Sequence, residues 1–250
     1  MKVAGITWQD KIERAQFLSS QQEAADDVLL FYITILKFQK DMQTRLSTSA
    51  ADVAELVPFV PELLELLTHS GTPQMKELAA SSMSLDWTRE IESCWNNRGS
   101  QPYAPLSFII STLLQPFARN LAAHAQIDKQ FAPQCPFCFC KPQLGVLRPE
   151  GEGGKRYLLC SLCGTEWEYR RLICPNCEEL DSEKLPVFKS DKVPHIQLAA
   201  CDTCHTYLKA IDLGIDGHAI PAVDDVASLP MSLWMVENGF HPVHLNLFGF

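Results

Sequence analysis

Cys135-Pro-Phe-Cys138, Cys160-Ser-Leu-Cys163, Cys174-Pro-Asn-Cys177 and Cys201-Asp-Thr-Cys204 stand within 70 residues of a 250-residue chain. Eight cysteines paired in this way supply the ligands for two tetrahedral four-thiolate metal sites. Thiolates select borderline or soft ions, so zinc or iron is expected and magnesium or calcium is not. A disulfide scaffold is the competing reading, but such scaffolds are short and secreted. The opening Met1-Lys-Val-Ala-Gly-Ile-Thr-Trp-Gln-Asp10 lacks the apolar core of a secretory signal. No stretch reaches the ~18 apolar residues of a membrane span, and the longest candidate, 28–36, contains Thr34 and stops at Lys37. A reduced, soluble, cytoplasmic protein is the expectation.

The cysteine region is internally duplicated. Cys135-Pro-x-Cys returns as Cys174-Pro-x-Cys 39 residues on, and Cys160-Ser-Leu-Cys-Gly-Thr returns as Cys201-Asp-Thr-Cys-His-Thr 41 residues on. Two tandem copies of one ribbon module follow from this. Pairing in sequence gives Cys135, Cys138, Cys160 and Cys163 to a first ion and Cys174, Cys177, Cys201 and Cys204 to a second. The segment 164–173 between the copies has no breaker after Gly164 and, extended, spans on the order of 30 Å. Sulfurs around one ion lie only about 4 Å apart, so sharing an ion between the middle pairs would require that strand to fold back. Alternation in it places Trp167 and Tyr169 on one face and Glu166, Glu168 and Arg170 on the other.

Hydrophobic residues make up 46% of the chain, enough to fill a real core. The formal net charge is −9 with every cysteine counted as neutral, and each divalent four-thiolate site adds about two more negative charges. An acidic chain of this kind is a poor general binder of nucleic acid or anionic membrane. Four-sulfur sites also leave no open coordination position, which argues against metal-assisted hydrolysis.

Residues 1–130 contain a single cysteine, Cys94, and read as helices. The run 26–46 is apolar on most sides and predicts a buried helix. The run 51–70 carries Leu56, Phe59, Leu63, Leu64 and Leu67 at helical spacing and ends at Gly71, with Pro58 and Pro61 marking a new first turn. Pro73 opens a helix through Trp87, Ile91 and Trp95 to Arg98-Gly99, and a last helix covers 106–126 with a kink expected at Pro116. These stripes read as core packing, and nothing among them pairs a nucleophile with a base. Cys94 reads as a small buried hydrophobe. His205 reads as a surface residue, and His241 and His244 as parts of an exposed tail. Cys140 is a fifth thiol beside the first site, able to exchange as a ligand or to react as a free thiol. The segment 150–154 is a glycine-rich loop tip without the strand-to-helix context of a phosphate-binding loop.

At these residues the chain resembles the FdhE family of formate dehydrogenase accessory proteins. The resemblance rests on Cys135-Pro-x-Cys, Arg156-Tyr-Leu-Leu-Cys-Ser-Leu-Cys-Gly-Thr-Glu-Trp167, Cys174-Pro-Asn-Cys-Glu178, Cys201-Asp-Thr-Cys-His-Thr-Tyr-Leu-Lys209 and Asp224-Asp-Val-Ala-Ser-Leu229, with Gly239-Phe and Asn246-Leu-Phe in the tail. It is specific over 133–250, and Leu114-Gln-Pro-Phe-Ala-Arg119 carries it weakly into the helical half. It implies an N-terminal helical domain over 1–130, rubredoxin-like or zinc-ribbon modules over 131–172 and 173–215, and a C-terminal helix and tail over 216–250. It also implies a non-enzymatic cytoplasmic maturation factor that binds the catalytic subunit of respiratory formate dehydrogenase. The eight paired cysteines would then hold two metal ions, with iron favoured by the resemblance and zinc the alternative. Two departures bear on the first site: Phe139 stands where the family has glycine, and Cys140 where it has a small residue. A rubredoxin-like electron carrier and a nucleic-acid-binding zinc ribbon are the rival functions. Nucleic acid and membrane insertion are not expected of the accessory protein, and self-association stays open.

Overall fold

Thr7 closes a capping box with Asp10, each side chain accepting from the other's backbone N–H, and this starts the first of the helices that make up the N-terminal half. The computed structural model describes residues 2–3, 5–21, 25–46, 52–98, 106–126, 131–150 and 154–249. After a short strand β1 (Lys2–Val3) come α1 (Trp8–Ser19), α2 (Asp26–Arg45), a 3-10 segment (Val53–Phe59), α3 (Val60–Ser70), α4 (Pro73–Ser81), α5 (Trp87–Asn96) and α6 (Ser107–His124).

Two helical runs differ in detail from their expected course. The helix expected from Pro73 to Arg98 is two helices, because the chain turns at Ser82 and Asp86 caps a fresh start by accepting from the Arg89 N–H. The run expected as helix over 51–70 opens as a 3-10 segment through Phe59, and α3 then starts afresh with Pro61 in its first turn, where its missing N–H costs nothing, as the prolines led one to expect. Residues 99–105, including Gly99, lie outside the described residues, as do 151–153 of the loop tip. Pro116, by contrast, sits inside α6 without ending it. The carbonyl it cannot serve, that of Thr112, accepts a 2.9 Å bond from Gln39 Nε2 on α2, so the lost helical bond is replaced across the helix pair.

The cysteine region forms β2 (Pro142–Arg148), β3 (Lys155–Cys160), β4 (Thr165–Glu168), β5 (Val187–Lys189), β6 (Ile196–Cys201) and β7 (Thr206–Asp212). The single C-terminal helix expected over 216–250 is two short helices, α7 (Pro221–Ala227) and α8 (Leu229–Glu237), because Ser228 and Pro230 interrupt the run. They are followed by β8 (His241–Pro242). Among the described residues one sheet runs in the order β1-β4-β3-β2-β7-β6-β5, with β8 added alongside β7. Each module is an antiparallel meander, and the two join where β2 pairs β7 in parallel, Leu144 opposite Lys209 and Val146 opposite Ile211.

The duplication is therefore head to tail. The last strand of the second module, β7, takes the first strand of the first module as its neighbour. The equivalent edge of the first module, β4, takes β1 from the chain's N-terminal end, with Lys2 opposite Glu166. One apolar core continues from the helices into the first module, where Trp167, Tyr169, Leu158 and Cys163 pack with Leu36, Phe117 and Ala118. The composition change near residue 130 marks the end of helix but not the end of the core. Trp167 and Tyr169 face that core as the alternation predicts. Glu166, on the opposite face, is also buried: β1 pairs alongside its strand, and its side chain makes a 2.8 Å pair with Arg148.

Candidate metal centres

Each Cys-x-x-Cys pair lies on a tight turn in which the residue after the second cysteine has a left-handed backbone. Phe139, Gly164, Glu178 and His205 have φ of 62°, 67°, 59° and 52°. In the two Cys-Pro turns the backbone bonds repeat atom for atom. Phe139 N donates to Cys135 O and Cys135 N to Cys140 O, as Glu178 N does to Cys174 O and Cys174 N to Glu179 O, all at 2.9–3.0 Å. Only Gly164 adopts this conformation without steric cost. A Cβ there would also meet Arg119 Nη1 at 3.0 Å. Phe139 reaches the same geometry as its three counterparts, so the departure from glycine strains the first turn but leaves it intact.

The turns bring the sulfurs together in the sequential partition. Cys135, Cys138, Cys160 and Cys163 form one cluster and Cys174, Cys177, Cys201 and Cys204 the other, with all four sulfurs in each within 4.8 Å of one another. Neighbouring sulfurs lie 3.2 Å apart at Cys138–Cys160 and 3.7 Å apart at Cys174–Cys204 and Cys177–Cys201. Sulfurs this far apart are not disulfide-bonded, since an S–S bond is ~2.05 Å. They match the ~3.8 Å edge of a tetrahedron with bonds of ~2.3 Å. Thr165 Oγ1 lies 3.1 Å from Cys163 Sγ, and Thr206 Oγ1 lies 3.1 Å from Cys204 Sγ. Backbone N–H groups of Leu162 and Asn176 donate to Cys160 and Cys174.

Four thiols packed together cannot ionise alike. Hydrogen bonds from its three sulfur neighbours drive Cys135 well below the ordinary thiol value, while burial pushes Cys160 and Cys163 well above it. A divalent ion removes the conflict by taking all four as thiolates, with release of protons. The surroundings are arranged for the excess negative charge this leaves. Among the described residues, half-buried Arg119 and buried Arg156 have no carboxylate partner. Arg119 donates to the Ile6 carbonyl at 2.8 Å, and Arg156 to the carbonyls of Arg170 and Ile173. Burial lowers both guanidinium pKa values, Arg156 to about 10. Among the opposing influences are the thiols Cys163 for Arg119 and Cys174 for Arg156. One arginine thus backs each cluster, half-buried Arg119 the first and buried Arg156 the second, and the donor sets fit four-thiolate ions.

The two clusters differ in burial. All four sulfur residues of the first are buried, whereas Cys177 is exposed and Cys204 half-buried in the second. Cys140 belongs to neither cluster. Its thiol donates to the Arg98 carbonyl at 2.8 Å, and it shares the wall of a cavity of about 330 Å³ with Cys94 and His244. Burial raises the Cys94 thiol and lowers the His244 imidazole, so both stay neutral near pH 7. His244 is half-buried instead of lying in an exposed tail, while His205 and His241 are exposed.

Sequence reasoning passed over Asp224 and Asp225 as anything beyond a family motif. Asp224 is buried in bonds to Arg14 on α1 (2.5 and 3.0 Å) and His195 Nε2 (3.0 Å), and Arg14 also pairs with Asp216 at 2.8 Å. His195, Asp216 and Asp224 offer metal-type ligand atoms, but the Arg14 guanidinium supplies the positive charge there. Asp225 pairs with buried Lys209 at 2.6 Å and accepts from Gln143 and Asn246. Adjacent aspartates therefore tie α7 to the helical half and to both halves of the sheet.

Two family models match this sequence, described as FdhE, central domain, over residues 134–171 and FdhE, C-terminal domain, over residues 172–248. An FdhE homolog of Aquifex aeolicus is 33% identical over 210 residues, covering 82% of this chain and 74% of its own. The chain belongs to the FdhE family. FdhE of Escherichia coli is 29% identical over 203 residues, 79% of this chain and 63% of its own. The homolog of Haemophilus ducreyi is 35% identical over 133 residues, 53% and 43%. The chain thus spans less than two thirds of the length of several FdhE relatives that it matches. The crystal structure of the FdhE protein from Pseudomonas aeruginosa superposes with a TM-score of 0.76 at 20% identity, covering 97% of this chain and 95% of that one, which establishes a shared fold.

Proposed function

We propose that this chain is a non-enzymatic accessory factor that binds the catalytic subunit of formate dehydrogenase in the cytoplasm and assists its maturation, as the family resemblance implies. The observation that carries the reading is the pair of preassembled four-cysteine clusters in an FdhE-family chain, each backed by an arginine that donates to backbone carbonyls. Cys135, Cys138, Cys160 and Cys163 would hold one ion and Cys174, Cys177, Cys201 and Cys204 the other. A four-thiolate ion supplies either rigidity, as zinc, or one-electron redox chemistry, as iron. The chain's own residues fix the turns, shield the sulfurs and balance their charge.

The second module carries the features of a docking surface. Phe188 on β5 packs edge-on against Trp234 at 5.2 Å, and Val187, Leu233, Trp234 and Val236 stay exposed around it. Exposed apolar groups gathered in this way mark contact sites. No helix among the described residues is long and apolar enough to cross a membrane. The exposed edge at Cys177 favours the electron-carrier reading as the second choice, with transfer through the second site.

The test is affinity capture of the native catalytic subunit from the host, with wild-type chain and with Trp234→Ser. Capture by the wild type, lost or strongly reduced in the variant while both clusters stay loaded, is the expected outcome. Deletion of the gene should lower formate-dependent respiration while the subunit is still made. Equal respiration in the deleted strain would remove the maturation role.

A further inference from the structure

A cavity of about 50 Å³ lies where α1, α2, α6 and α7 meet the first module, lined by Lys11, Tyr32, Arg119, Ser161 and Glu166 among others. Lys11 is only 8% exposed. Its ammonium sits 4.4 Å from the centre of the Trp8 ring and has no hydrogen-bond or ion-pair partner among the described residues. An unpaired buried cation is costly and is rarely kept without a counter-charge. The nearby acids are already engaged: Glu166 with Arg148, Asp225 with Lys209. The other cation of the cavity, Arg119, lies 5.2 Å from the centre of the Trp8 ring and backs the first thiolate cluster. Burial, with Arg119 nearby, holds the Lys11 pKa well below its ordinary value, so an anion entering the cavity would supply the missing counter-charge and draw a proton onto this amine.

We infer that this cavity binds a small planar monoanion, a carboxylate or oxyanion of three or four non-hydrogen atoms, through the Lys11 ammonium. The volume equals about three or four water-sized spheres, which suits formate, nitrate or hydrogencarbonate and excludes larger carboxylates. Tyr32 supplies a second donor. Its hydroxyl has no partner among the described residues, and burial, with Asp225 nearby, raises its pKa so that the phenol keeps its proton. Glu166 meets Arg148 through Oε2 only; its Oε1 is buried without a partner, and the residue lines the same space as an acceptor. An anion that also carries an O–H, such as hydrogencarbonate, could satisfy it, whereas nitrate could not. Because Trp8, Lys11 and Tyr32 come from α1 and α2 and Ser161 and Glu166 from the first module, the bound anion would cement the helices to the metal ribbon. The inference stands on the cavity and not on the maturation role.

The experiment uses the full metal-loaded chain. Its thermal unfolding is followed in sodium formate, nitrate and hydrogencarbonate at fixed ionic strength, with benzoate as an anion too large to enter. Saturable stabilisation by one or more of the small anions and none by benzoate is expected. In Lys11→Met the saturation should weaken by about tenfold or more, the loss of one charge-assisted hydrogen bond. The same variant should unfold at a higher temperature than wild type when no anion is added, because a buried amine without a hydrogen-bond partner is replaced by an apolar side chain. That reading separates loss of a site from loss of the fold. A response that is equal in both proteins, non-saturable, or shared by benzoate would overturn the inference and leave the cavity filled by water only. Preference for hydrogencarbonate over nitrate would add Glu166 to the site, and Glu166→Gln should then erase that preference.

Discussion

At the scale of single residues, the strain in this chain is concentrated beside the metal turns. Phe139, Glu178 and His205 hold φ between 52° and 62°, a region that costs a side-chain-bearing residue about 1 kcal/mol. The exposed Phe139 ring gains little burial in return. Phe139→Gly should raise the stability of the metal-loaded chain by about 0.5–1 kcal/mol in denaturant titration, since relief of strain exceeds the added freedom of the unfolded chain. A lower stability would show that the ring is needed where it lies. The cysteines and the threonine repeated after each second pair were legible in sequence because local spacing fixes them, whereas the left-handed backbones of Glu178 and His205 were not. Lys11 and Arg119 were not legible, since their isolation from acids depends on which helices meet.

Elements explain why the two sites should behave differently. The first cluster is closed over by α6 and by Trp167 and Tyr169, while the second opens to solvent at Cys177 between β5 and its own turn. A chelator such as EDTA should therefore strip the second ion first, giving two phases of release whose fast amplitude corresponds to one ion per chain. Acid should act in the same direction, because every thiolate must regain a proton as its ion leaves. Single-phase loss of both ions would mean that the two modules open together. The two-residue strand β1 and the break before Asp86 escaped the sequence reading for different reasons. Two residues carry no periodicity, and the break interrupts an apolar pattern that continues on both sides of it.

Across the whole molecule, Arg14, Asp216 and Asp224 join the first helix to the last third of the chain, over a sequence separation of 202 and 210 residues. Arg14→Met leaves Asp224 buried with only His195 and a backbone N–H beside it, and should cost about 3 kcal/mol. Burial opposes the charge on Asp216, but the His218 N–H and Arg14 hold its pKa below the usual carboxylate value. Its contribution is accordingly present above pH ~4 and lost as pH falls through its lowered value. Asp216→Asn should thus be less stable than wild type at pH 7, and the gap should close in acid. The helix-then-ribbon order was readable from composition, and the duplication from the cysteine spacing. The head-to-tail sheet was not readable, because parallel pairing of β2 with β7 leaves no local mark in either strand.

The central claim is that two independent four-thiolate centres form in the sequential partition. Metal analysis with visible and EPR spectra, on protein purified anaerobically from its native host, tests it directly. Near two ions per chain, falling to one in Cys160→Ser and to one in Cys201→Ser, is the predicted result. Iron in them would give a rubredoxin-like ferric signal and zinc no chromophore. Fewer than two ions in the wild type, or loss of both ions from either single variant, would contradict the account.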